Sequence, residues 1–428
     1  MSKKKNILIF CSDSKGTAVL INIVRKIKQE YLDKFNFYFL YSNETQLQYP
    51  TRRMDGFRVD CDDWTLSELT NSKNLITVDS LGCKLPWTPD ILIIQRERWQ
   101  PEQSIIYECV SKWDTYVACV DVNSQIVNSY ETQFEMISRL NPPQSSVNTF
   151  FEGSIWTRDN RKLMLGENWN KGVVVGNPRF DGNPKYNMSR NEQIKEKYNI
   201  DDRKIIFVWS LINNTRPKLM DILKNVSDKI DDSKYRILFK PYPGEPLNER
   251  FKHQFDGNAI IYNEHRIDNI TVIYDDYDTF PLVDMSDIHL VTISSAVLFP
   301  LSFNKTIINI QNELGGLDYL TDINIYTNED NNGVEDSANF WMSVFNLDSK
   351  EKFVKLVQQF DINSWKQKNE LILESFNHNT IQYDSDLTFL DNITDSNILT
   401  QNEIMKYYDE YNDGKSSNRI LDYLYNQI

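Results

Sequence analysis

Short apolar runs separated by longer segments of helical periodicity set the rhythm of this chain. Asn6–Phe10 (NILIF) predicts a buried strand. The small polar loop Ser12–Thr17 comes next, and then Val19–Glu30, whose apolar residues recur at helical spacing. Phe35–Leu40 predicts a second strand. Thr45–Pro89 is polar and rich in turn signals, and reads as irregular. Order returns with Asp90–Gln95 (DILIIQ), a helix-spaced segment with Pro101 near its start, and the strand pattern Thr115–Val120 (TYVACV). Strands alternating with helices predict a parallel sheet covered on both faces.

The strongest punctuation is Lys171–Pro184 (KGVVVGNPRFDGNP), where glycine, asparagine and proline crowd together. It reads as the linker between two domains. Beyond it the alternation resumes. Strands are expected at Lys204–Ser210, Tyr235–Lys240, Asn258–Tyr262 and Ile270–Tyr274, with a helix at Arg216–Ile230. Val283–Gln311 predicts one βαβ unit: strand Ile288–Ile293, the turn Ser294–Ser295, helix Ala296–Phe303, and strand Thr306–Ile310. From Lys350 to Phe376 the pattern is helical. The acidic, amide-rich end carries one or two amphipathic helices over Asn402–Ile428. The expected fold is therefore α/β, with doubly wound parallel-sheet domains at 1–175 and 176–384. A helical acidic tail at 385–428 is placed to pack back on the first domain.

Composition narrows the partners. With 428 residues, 40% hydrophobic and 12% aromatic, the chain can build two ordinary cores. A net charge of −14 argues against a generic nucleic-acid binder, which needs lysine and arginine to displace counterions. The sequence contains neither an apolar stretch of membrane-spanning length nor a signal-peptide pattern, although peripheral membrane contact stays open. Its five cysteines are scattered, as in reduced cytosolic proteins, so a cytoplasmic location is expected. The four histidines have no metal-ligand spacing. His289, inside an apolar strand pattern, reads as a hydrogen-bonded core residue.

Open α/β sheets bind ligands at the carboxyl ends of their strands, so the polar residues that follow strands are the candidates. Two such domains would leave a cleft between those ends. In the second domain the candidates are Ser210, Asn213 and Arg216, then Lys240 and Glu245, then Ser294 and Ser295. Arg216 and Lys240 suit a diphosphate, and the asparagine and glutamate suit ribose or base. The serine pair can cap a helix or cradle a phosphate on its N–H groups, and both readings stay open. In the first domain Asp13 and Lys15 follow the first strand, and Arg96, Glu97 and Arg98 follow DILIIQ. A carboxylate there suits a general base, kept ionised by arginines that could also bind an anionic acceptor. The glycine fingerprints of dinucleotide and P-loop sites are absent.

Three patches carry a resemblance. VVVGNPRFDG (Val173–Gly182), FKPYPGEP (Phe239–Pro246) and DMSDIHLVTISSAVLFPLSFNKTIINI resemble segments of the GT-B glycosyltransferases. The likeness is greatest to the bacterial surface-polysaccharide group with CDP-glycerol glycerophosphotransferases and the Kdo and sialic acid transferases. RERWQP (Arg96–Pro101) is similar to a Kdo-transferase segment that bears an acceptor-side glutamate. The resemblance implies two Rossmann-like domains facing a cleft. It implies a nucleotide-sugar donor held by Ser294, Ser295 and Glu245, and a glycan acceptor served by Glu97. It also implies no metal or other cofactor. Tyr242 stands where the family has a donor-binding histidine, and Leu298–Phe299 where it often has Glu-Ala. The expected activity is transfer of a sugar or a glycerol-phosphate-like group in polysaccharide biosynthesis. A UDP-GlcNAc 2-epimerase-like enzyme and a catalytically inactive glycan- or protein-binding module are the alternatives.

Overall fold

A computed structural model describes residues 4–11, 14–42, 75–78, 87–95, 100–120, 146–165, 170–181, 188–209, 216–240, 253–256, 259–262, 265–273, 279–291, 297–314, 362–391 and 403–427. The chain divides into two compact units. The first comprises Met1–Asn183, Leu320–Asn369 and Lys406–Ile428, and the second Pro184–Tyr319 and Glu370–Met405.

The first unit opens with β1 (Lys5–Cys11), α1 (Ser14–Glu30), β2 (Phe35–Ser42) and β3 (Leu75–Val78). Then come β4 (Ile91–Ile94), α2 (Gln100–Trp113), β5 (Tyr116–Cys119), β6 (Thr149–Glu152), α3 (Ile155–Leu165) and β7 (Gly172–Val174). The strands form one parallel sheet in the order β3-β2-β1-β4-β5-β6-β7. Parallel strands are buried on both faces, which is why ILIF and ILII carry no polar alternation. Ile7, Ile9, Ile91 and Ile93 meet α1 through Leu20, Ile23 and Ile27 on one face. Leu8, Phe10, Leu92 and Ile94 meet α2 through Ile105, Ile106 and Cys109 on the other. β3 lies in a stretch expected to be irregular. Four residues beside a polar run are too few to register a period.

The second unit contains α4 (Met188–Lys197), β8 (Lys204–Trp209), α5 (Arg216–Lys229) and β9 (Tyr235–Lys240). A small antiparallel sheet follows, made of β10 (His253–Asp256), β11 (Ala259–Tyr262) and β12 (His265–Ile267). After it come β13 (Ile270–Val272), α6 (Thr279–Met285), β14 (Ile288–Val291), α7 (Leu298–Ser302) and β15 (Thr306–Asn309). The later segments are α8 (Ile362–Asn379), which runs on into this unit from Glu370, and β16 (Ile381–Gln382). The main sheet is parallel, in the order β13-β9-β8-β14-β15-β16. The chain thus holds two Rossmann-like α/β domains, each with helices against its parallel sheet.

The expected acidic tail is not one piece. Tyr383, Leu387 and Phe389 enter the second unit's core, whereas Lys406–Ile428 belongs to the first unit. The last helix, α9 (Ser416–Gln427), places Ile420, Leu421 and Leu424 at 0% exposure in the α1 face of the first sheet. Burying each such side chain is worth about 1.5–3 kcal/mol. Tyr31 Oη donates to Asp422 (3.0 Å), and Phe35 and Phe151 meet Tyr425 and Tyr423 edge to face.

The expected linker behaves differently from a free hinge. Its described part, up to Asp181, is built into the first unit: Gly176, Asn177 and Pro178 are buried. Asn22 Nδ2 donates to Pro178 O (2.7 Å). Asp181 accepts from Ser416 N (2.9 Å) and Ser417 N, capping α9 from 235 and 236 positions away. Gly176, at φ +91°, lies so close to the tail that a Cβ would stand 2.5 Å from Ser416 Oγ and 2.7 Å from Asp409 Oδ1. The tail caps in return, since Glu410 Oε2 accepts from Ile155 N at the start of α3 (2.9 Å).

Asp181→Ala should lower unfolding free energy by about 1–2 kcal/mol through the lost cap, read by urea titration. Unchanged stability would show that Asp181 is not the anchor. A buried ion pair joins Glu152 (0% exposed), at the end of β6, to Arg161 (4%) of α3. Arg161→Met alone should cost about 3–5 kcal/mol by stranding Glu152, and Glu152→Met with Arg161→Met should restore much of it.

Candidate functional site

In an open parallel sheet the crevice lies where strand order reverses, because neighbouring connections there leave in opposite directions. In the first sheet that point is between β1 and β4, paired parallel from Ile7↔Ile91 to Phe10↔Ile94. Asp13 follows β1, and Arg96, Glu97 and Arg98 follow β4, so the topology sends both candidate segments from this reversal. All four residues lie outside the described residues. Lys15 is the second residue of α1, and its side chain too lies outside them.

Gln95, next after β4, was not among the sequence candidates. It is 2% exposed, its carbonyl accepts from Cys119 Sγ (3.4 Å), and its side-chain Oε1 makes no hydrogen bond. A buried acceptor without a donor costs about 1–3 kcal/mol, and native proteins keep few of them. The only signal in the sequence was a glutamine closing an apolar run.

In the second sheet the reversal lies between β8 and β14, with β9 beside β8. Trp209 and Lys240 end their strands in register, and Val291 ends β14 one step beyond the Leu290↔Val208 pair. Lys240, the last residue of β9, is 6% exposed. Trp209 stacks on Phe299 (5.3 Å between centroids, 22° between planes) and meets Phe207 edge to face. Its Nε1 is buried without an acceptor, a second group that sequence reading missed. Arg216 is the first residue of α5, with its side chain outside the described residues. Ser210, Asn213, Tyr242, Glu245, Ser294 and Ser295 lie outside them altogether.

One expectation is corrected here. The helix is described from Leu298, two residues later than expected, and Ser294, Ser295 and Ala296 lie outside the described residues. α7 starts at Leu298 with Val297 as N-cap and no side-chain cap bond. It is five residues long and ends about where expected, where Asn304 adopts the left-handed conformation (φ +53°) and Lys305 N closes on Pro300 O (2.9 Å).

Behind the rim, His289 is fully buried against the Phe207 ring (5.4 Å), and neither imidazole nitrogen has a well-formed hydrogen bond. It is a core residue as expected, but not a satisfied one. Burial, with the Lys305 charge adding, pushes its pKa down to about 3, and the Val283 backbone compensates little. Among the described residues no group of histidines, cysteines and carboxylates could hold a metal ion, and no helix is long and apolar enough to cross a membrane.

No protein-family model matches the chain, and no curated protein matches its sequence. Solved structures do match its fold. A Listeria monocytogenes protein provisionally described as a UDP-N-acetylglucosamine 2-epimerase aligns at 13% identity and a TM-score of 0.53, covering 98% of this chain and 95% of its own. UDP-GlcNAc 2-epimerase from Methanocaldococcus jannaschii aligns at 14% identity and 0.50, covering 98% and 99%. S. aureus MnaA, in a structure with UDP, aligns at 14% identity and 0.51, covering 100% and 98%. At these identities the likeness is one of fold, and the fold is GT-B.

His289 supplies a check on this layer of the unit. The folded ring stays neutral until about pH 3, while the unfolded ring takes a proton near 6.5. The stability it contributes is therefore present above pH 6.5 and lost as pH falls towards 3. His289→Leu should flatten that acid-side loss in urea titrations at pH 7, 5 and 4. An unchanged slope would refute the assignment.

Proposed function

We propose that this chain is a nucleotide-sugar enzyme that moves a sugar, or a glycerol-phosphate-like group, from a nucleotide-activated donor to a glycan acceptor. The observation that carries the reading is the rim of the second sheet. Three adjacent parallel strands end at Lys240, Trp209 and Val291. The segments that follow them hold Tyr242 and Glu245, Ser210 and Asn213, and Ser294 and Ser295.

On this reading Lys240 and Arg216 neutralise the donor phosphates, the serine pair hydrogen-bonds them, and Asn213, Tyr242 and Glu245 hold ribose and base. Glu97 or Asp13 removes the acceptor hydroxyl proton. The oxygen then bonds to the transferred group as its bond to the nucleotide phosphate breaks, and the leaving phosphate carries the electron pair. Cations at the rim favour that charge more as it grows, which lowers the barrier and not merely the binding energy. Lys15, Arg96 and Arg98 are assigned to an anionic acceptor.

The full-length fold likeness to UDP-GlcNAc 2-epimerases supports a second reading, in which the same rim holds a UDP-sugar that is converted without an acceptor. Calorimetric titration with CMP, CDP, UDP and GDP tests what the two share. At least one should bind, and Lys240→Met should weaken it about 10–100-fold. No binding of any at millimolar concentration would sink both readings. Incubation with UDP-GlcNAc alone, followed by proton NMR, separates them: a new anomeric signal from an epimer selects the second.

A further inference from the structure

The chain passes between its compact units at four places, and two of them, 183/184 and 405/406, stand close in sequence to one buried polar cluster of the first unit. Asp181 (4% exposed) stands just before the first, and Asp409 (1% exposed) just after the second. Asp181 is spent on the two N–H groups that open α9. Asp409 Oδ1 accepts from Tyr411 N (3.3 Å) and Asn412 N (3.1 Å), and the Asn177 backbone also donates to this carboxylate. Asp409 Oδ2 makes no hydrogen bond. Gly176 fills the space between Asp409 Oδ1 and Ser416 Oγ.

The charges around Asp409 are accounted for on each side. From the linker Asp181 faces it and opposes its charge. From α9 Arg419 attracts it, but that guanidinium pairs with Asp413 (3.0 Å) and lies on the Tyr411 ring (3.8 Å). On its own segment Glu410 is occupied at the start of α3, and Asp413 with Arg419. Along α1, Arg25 is turned to Asn22 Oδ1 (2.7 Å). Glu152 is joined to Arg161.

We propose that Asp409 is a proton-operated latch: a proton on Oδ2 removes the charge opposing Asp181 and ties the strap Lys406–Ile428 more tightly to the linker. Burial, with the Asp181 charge adding, holds its carboxyl up at about 6 in the docked strap, against 3.8 when water reaches it. The raised value means that the docked form binds the extra proton. Docking therefore strengthens as pH falls from about 6 towards 4 and is constant above 7. The opening equilibrium should shift about tenfold per pH unit within that window.

Hydrogen exchange of the Ile420–Leu424 amides in the full chain, corrected for the intrinsic pH dependence of exchange, reads the latch. Protection should rise between pH 7.5 and pH 5, starting near pH 6 and steepening to about tenfold per pH unit below it. Asp409→Asn should show the high protection at both values, whereas Asp413→Asn should keep the wild-type response. Equal protection of the wild type at both values overturns the proposal, and so does a wild-type response in Asp409→Asn. The wild-type measurement decides alone if the variant fails to fold.

Discussion

The carboxylate of Asp181 at the start of α9 is the contact on which the first domain closes. A parallel sheet needs cover on both faces, and α1 and α2 leave part of one face open. The missing cover is a twelve-residue helix from the far end of the chain, too short to hold its shape alone. Capping by Asp181 satisfies N–H groups that are buried away from water, at the start of the helix that buries Ile420, Leu421 and Leu424. The return contact, Glu410 on α3, uses the same physics in the opposite direction. Each segment thus completes a helix that belongs to the other.

Much of this architecture can be read from periodicity. NILIF, DILIIQ, KIIFVW and YRILFK are apolar on consecutive positions because both sheet faces are covered, and each is a strand. Where the reading failed, the reasons are specific. Gly, Asn and Pro at 176–178 report backbone shape, here the positive φ of Gly176, and say nothing of exposure. The apolar run Ala296–Phe303 has helical length, yet the described helix covers only Leu298–Ser302, because an apolar run does not mark where a helix starts. The pattern ILDYLY predicts an amphipathic helix but not its partner, since a helix face carries no address. The strands that precede the candidate segments, β1 with β4 and β9 with β8 and β14, lie side by side in their sheets. Gln95 and Trp209 were not legible, because an unmet hydrogen bond is a property of surroundings.

The two functional readings share one demand, a site that stabilises negative charge on a nucleotide phosphate. A buried lysine at a strand end suits it, since a cation shielded from water acts more strongly on a nearby anion than a solvated one. The readings part in the first domain. An acceptor hydroxyl needs a base and room for a second substrate, whereas an epimerase must handle a proton on the sugar itself. On the proposed transfer reading, charge stabilisation falls to the second domain and proton transfer to the first.

The discontinuity of the first domain also bears on how the protein is made. Its sheet, α1 and α2 are synthesised before the second unit, but α9 only after it. At ordinary elongation rates the interval is roughly ten seconds to a minute. Throughout it, the isoleucine-rich face that later receives Ile420, Leu421 and Leu424 has no lid, and is a surface that a chaperone, or a second nascent chain, can occupy.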